Sequence, residues 1–156
     1  MDVFLAFKFL HISAMFFAVA AALFGEIGVQ AVARRGDVLG LRSLAPVLEV
    51  LGKGVPVFFV AGLIFGLLAA WTGEFNLLAP WLLISYALFA FAMALGSLVS
   101  EPWAKRVVEA AFASPSDAPS AELRAAIADR RGPVSAAVLV IVIVTFVFVM
   151  VFKPLS

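Results

Sequence analysis

The sequence contains no cysteine and a single histidine. Disulfides, iron–sulfur clusters and cysteine nucleophiles are therefore excluded, and a zinc site of the usual imidazole and thiolate type lacks its donors. Charge is also scarce. Only 13% of the 156 residues are charged, about half the share usual in a soluble domain, and they nearly cancel to a net +1. No basic field is available to attract nucleic acid. No convincing strand is present, and with it goes the Gly-rich phosphate loop that would follow one. Tyr86 is the only tyrosine.

What the chain does have is hydrophobic length. Hydrophobic residues make up 65% of it, with a mean hydropathy of +1.15. Four runs, at about residues 3–32, 47–73, 80–100 and 134–152, reach the roughly 20 residues that a bilayer span needs. The expected fold is all-α: a polytopic membrane protein forming one four-transmembrane-helix bundle over residues 1–156, with 101–133 as a cytoplasmic connection. Asp2 stands where a signal peptide carries basic residues, so the first run reads as a retained helix. Gly36 and Asp37 mark a turn, and a partly interfacial helix over 41–53 leads into the second span. Trp71 and Trp81 bracket the next connection at headgroup level. Glu101–Pro102 is read as the end of the third span. Ser120 is expected to cap a short helix running to Arg130, stopped by Gly132–Pro133.

Orientation follows from the basic residues. Arg34, Arg35, Arg42 and Lys53 surround the first connection, and Lys105, Arg106, Arg124, Arg130 and Arg131 the third, while the second has none. By the positive-inside rule both basic connections are cytoplasmic, giving an N-out/C-out topology with Lys8 and Lys153 snorkelling to the outer interface.

Ionisable residues at membrane depth point to a site or an internal pairing. The first span carries two. His11 lies toward the outer surface, and Glu26, fifteen residues later, is about 22 Å further along the helix toward the cytoplasm. His11, Met15, Ala18 and Ala22 share one helical stripe with Gly25 or Glu26, small in its middle as a packing face is. Two readings of His11 stand side by side. In one it is hydrogen-bonded to a helix backbone or to Tyr86; in the other it is an axial ligand to haem iron. Met15 is one turn from His11 and cannot take the opposite axial position of the same porphyrin, which would fall to Met93 or to a second chain. Met15, beside His11, and Tyr86 are candidate cofactor contacts. Glu26 reads either as an ion pair with Arg34, Arg35, Lys53 or Lys105, or as a proton-handling carboxylate. Gly62 and Gly66 form a small-xxx-small face for helix packing, and Glu49 and Lys53 make an i,i+4 pair.

Three local patterns carry a family resemblance. The opening Lys8–Phe9–Leu10–His11, Pro56 followed by Gly62, and the ending Met150–Val151–Phe152–Lys153–Pro154 resemble a family of small four-helix bacterial predicted integral membrane proteins. That family has no settled activity. The Leu-His opening is also distantly similar to copper-resistance D-type proteins and to membrane protoporphyrinogen oxidase-like proteins that bind haem through a helix histidine. The chain departs from the pattern in having Ala18 where a glycine usually follows the histidine, the glycine being delayed to Gly25. The resemblance implies a bacterial inner-membrane protein that binds haem b at His11 and has a redox or accessory role. The competing reading is a non-catalytic structural or assembly subunit whose glycine-bearing helices dock onto a larger membrane complex. A transporter component comes third, weakened by the lack of an internal repeat. The expected partners are the lipid bilayer and either a second copy, as a homodimer, or a larger complex. No catalytic residue is assigned.

Overall fold

The structure is a computed structural model that describes residues 2–116 and 118–154. Among them the regular structure is entirely helical, without a strand. α1 spans Val3–Arg34 and α2 Val38–Thr72. α3, Pro80–Leu95, passes through a π-helical turn at Gly96–Ser100 into α4, Glu101–Ala113. A short α5, Ala121–Ala128, precedes α6, Arg131–Phe152. Four helical stretches are long and apolar enough to cross a membrane: Val3–Arg34, Val38–Thr72, Pro80–Ala113 and Ala121–Phe152.

The helix ends follow local chemistry. The Asp2 carboxylate accepts the Phe4 N–H at 3.0 Å to start α1. Gly36, with φ of +65°, takes the left-handed conformation that turns the chain, and the Asp37 side chain accepts from the Gly40 N–H at 2.8 Å to start α2. The short turn leaves α1 and α2 antiparallel with the most extensive interface in the molecule. α2 runs unbroken through Pro46 and Pro56, so the interfacial helix and the span are one element.

Two expected breaks are absent. Glu101–Pro102 does not end the third span: the helix continues to Ala113, because the π turn inserts there. In a straight α-helix the Pro102 ring would press on the carbonyl four residues earlier. The wider turn, in which the Glu101 N–H bonds to the Gly96 carbonyl, shifts that register. Nor do Gly132–Pro133 stop a helix. They lie in the first turn of α6, where proline loses no hydrogen bond. The short helix instead ends at Ala128, with Asp129 in extended backbone. The Asp129 carboxylate accepts the Arg131 N–H and an Arg106 N–H, each at 3.0 Å, and these contacts hold its carboxyl below the usual carboxylate range.

The basic end of the bundle is organised by Trp103, which is 2% exposed. Its ring packs with Val29, Ala33, Leu41, Val107 and Leu123, and its indole N–H donates to the Ala126 carbonyl at 3.2 Å. Gly132 lies flat against the ring: a Cβ there would overlap the indole carbons. Arg42 joins in by donating to the carbonyls of Ala111, at 3.0 Å, and Ser114, which satisfies the C-terminal end of α4 with a cation. At the opposite end, Phe75 and Trp81 meet edge to face and the Lys153 ammonium lies 4.2 Å from the Phe75 ring centre. Trp71 is exposed, whereas Trp81 is buried beneath Lys153 and is a packing residue. Much of the remaining surface is apolar, with Phe9, Phe16, Ile27, Val144 and Val151 all outward. In lipid such a surface would cost nothing, and close packing rather than hydrophobic burial would hold the helices together.

Candidate functional site

His11 and Met15 stand on the face of α1 that meets α2, directly opposite Gly66 and Gly62. A Cβ on Gly66 would lie 2.7 Å from His11 Nδ1, and one on Gly62 would lie 2.6 Å from the Met15 sulfur. The two glycines therefore seat the two α1 side chains within the bundle. His11 Nδ1 is 2.7 Å from the Gly62 carbonyl oxygen. A carbonyl only accepts, so Nδ1 carries the proton. In the neutral imidazole Nε2 then keeps its lone pair, and no hydrogen bond reaches it among the described residues. The ring is half-buried.

Of the other residues proposed to accompany His11, Tyr86 and Met93 lie elsewhere. Tyr86 packs near Trp81 and Leu82, and its hydroxyl is buried without a hydrogen-bond partner, so it makes no bond to His11. Met93 lines the groove that holds Glu26, a groove that His11 does not line. Met15 is engaged with Gly62 on the same face as His11.

The Glu26 groove has a volume of about 550 Å³ and lies between α1, α2, the α3–α4 helix and α6. Its walls are mainly apolar, among them Ala22, Leu48, Phe59, Trp103 and Leu139. The ion pair expected for Glu26 is not formed among the described residues. Lys53 bonds instead to Glu49 at 2.6 Å and Lys105 to Glu101 at 2.7 Å, each one turn along its own helix and largely exposed. Arg34 and Arg35 make no salt bridge with Glu26 either. The Glu26 carboxyl lies beside the Ser100 hydroxyl and the Gln30 amide. Gln30, however, donates to the Gly132 carbonyl at 3.2 Å, and Glu26 Oε2 and Ser100 Oγ are both buried without a hydrogen-bond partner.

Ser100 was not singled out from the sequence. Its role comes from the π turn. Ser85, Ser97, Ser114, Thr72 and Thr145 each donate their hydroxyl to the carbonyl four residues back. Ser100 closes the π turn, where that carbonyl is out of register, and its hydroxyl is left facing the carboxylate. The signal was the juxtaposition of Gly96, Ser97 and Ser100 with Pro102, a composition that disturbs a helix. Among the described residues no group of three or more His, Asp or Glu side chains could hold a metal ion. In comparison with known proteins, no family model, no curated protein and no solved structure matches the chain.

Proposed function

We propose that this is a bacterial inner-membrane protein that binds haem b through His11, with its basic connections in the cytoplasm and His11 toward the outer face, and that it serves a redox or accessory role. The observation that supports this reading is the hydrogen bond from His11 Nδ1 to the Gly62 carbonyl. Iron-ligating imidazoles commonly give their second N–H to a backbone carbonyl, which orients the ring and makes the free nitrogen a better donor. Gly66 supplies the seat that keeps the ring from turning. Among the residues at hand His11 would hold the iron; Met15 is seated against Gly62 and Met93 lines the Glu26 groove, so a second ligand would have to come from His11 of a second copy. Bound haem would supply one-electron redox chemistry; the chain's part is to hold the iron and exclude water with the α1–α2 seam.

The protein purified in detergent after expression with ample haem is expected to show a Soret band that shifts on reduction by dithionite. His11→Ala is expected to lose that band, with its far-ultraviolet circular dichroism unchanged. An unaltered spectrum in His11→Ala would remove the haem site from this residue.

The competing reading, a non-catalytic structural or assembly subunit, rests on the same contact acting only as a clasp between two helices. Gly62 and Gly66 are consumed by α1, so a larger complex would have to dock on other faces. On that reading His11→Ala leaves partner co-purification intact and no wild-type preparation carries haem.

A further inference from the structure

We propose that the Glu26 groove is a second binding site, independent of His11, that takes a small organic cation: an ammonium group on a compact apolar body. Three observations place this chemistry there. First, the groove has the size and character of a small-molecule site, about 550 Å³ with apolar walls and a few convergent polar groups.

Second, the carboxylate inside forms no salt bridge among the described residues, and its polar neighbours are the neutral Ser100 hydroxyl and Gln30 amide. Ser100 is 7% exposed and lines the groove with its hydroxyl beside the Glu26 carboxyl, and neither Ser100 Oγ nor Glu26 Oε2 has a well-aligned hydrogen bond among the described residues. Buried polar atoms in that condition are costly, more so at membrane depth. An ammonium with several N–H groups can donate one to the carboxylate and another to the hydroxyl. The π turn that strips Ser100 of its usual intrahelical bond is what makes the second acceptor available.

Third, the charge has the matching sign. The lining carries Glu26, Glu49, Glu101 and Glu109 against Lys53 and Lys105. The lysines are each tied to the carboxylate one turn away, Glu49 and Glu101, at the exposed rim. Glu26 and Glu109 remain without a salt bridge among the described residues, so the groove favours a cation over an anion.

The test is equilibrium dialysis of labelled 1-adamantylammonium against the full chain in dodecyl maltoside, beside adamantane-1-carboxylate, which has the same cage and the opposite charge. Saturable binding of one ammonium per chain is expected, with no saturable binding of the carboxylate. Glu26→Gln should weaken the ammonium by at least about tenfold and Ser100→Ala by about threefold, whereas Glu26→Asp, which keeps the charge, should stay within about threefold of wild type. Each variant is compared at unchanged circular dichroism and gel-filtration behaviour. Equal affinity in wild type and Glu26→Gln, equal binding of the two adamantanes, or no saturable binding of the ammonium would each overturn the proposal.

Discussion

Gly132→Val is expected to cost about 3 kcal/mol or more, enough to prevent folding in a marginal bundle. A Cβ at this position would run into the Trp103 ring, with Cε3 at 2.6 Å and other indole carbons closer still. The ring cannot swing aside. It is 2% exposed, its N–H is spent on the Ala126 carbonyl, and Val107, Leu123 and Leu41 surround it. Relief therefore requires α6 to move off α4, which would pull the Gly132 carbonyl away from the Gln30 amide of α1 that bonds to it. Overpacking alone costs about 1–3 kcal/mol, and a lost hydrogen bond about 1 kcal/mol more. Unfolding in sodium dodecyl sulfate, followed by circular dichroism, checks this. The milder Gly132→Ala should be destabilising in the wild-type background and close to neutral in Trp103→Leu, where the indole is gone.

Gly66→Leu is expected to cost about 2–4 kcal/mol and to abolish any haem binding at the same time. The added side chain must enter space held by the His11 ring, whose Nδ1 and Cε1 lie 2.7 and 2.9 Å from the position of the new Cβ. Either α1 and α2 separate or the ring rotates out, and both break the bond to the Gly62 carbonyl. Packing is the main cohesive force between helices in lipid, with interhelical hydrogen bonds contributing about 0.6 kcal/mol on average. The smaller Gly66→Ala offers a sharper reading through a double-mutant cycle. It should destabilise the wild type, where the ring fills the site, and stabilise His11→Ala, where the new methyl group occupies part of the space left by the imidazole. A change of sign between the two backgrounds is a result that only direct contact between residues 11 and 66 produces.

Both predictions rest on contacts whose halves were visible in the sequence and whose pairing was not. Gly62 and Gly66 stood out as a packing face, and His11 with Met15 as a stripe. That the two face each other depends on the register of the α1–α2 hairpin, set by the left-handed Gly36 and the Asp37 cap. Trp103 and Gly132 were less legible still. Nothing local marks Trp103, and Gly132 reads as a helix stop, because local rules say nothing about an indole closing on a glycine 29 positions away.

The four long apolar stretches were legible because hydropathy over about 20 residues is a local property. Their ends were harder. Pro102 and Pro133 are local breakers by ordinary rules, yet one is absorbed by a π turn and the other by a first helical turn that needs no N–H at that position. The same π turn explains why Glu26 was assigned the wrong company. Charge and depth suggested Lys53 or Lys105, but each lysine is taken by a carboxylate four residues before it, a pairing that requires no tertiary structure. The neighbour Glu26 does have, Ser100, becomes available only through an irregular helix.

The measurement that tests the central claim most directly is the tautomer of His11, read by nitrogen-15 nuclear magnetic resonance of the haem-free protein labelled at histidine. The chain has one histidine, so the assignment is unambiguous. At an alkaline pH where imidazole is neutral, the account predicts that the proton resides on Nδ1, held by the Gly62 carbonyl, with Nε2 bare. In Gly66→Leu that preference should disappear. A wild-type ring protonated on Nε2 would place the free lone pair in the α1–α2 seam, facing a carbonyl it cannot bond, and would contradict both the clasp and the haem site built on it.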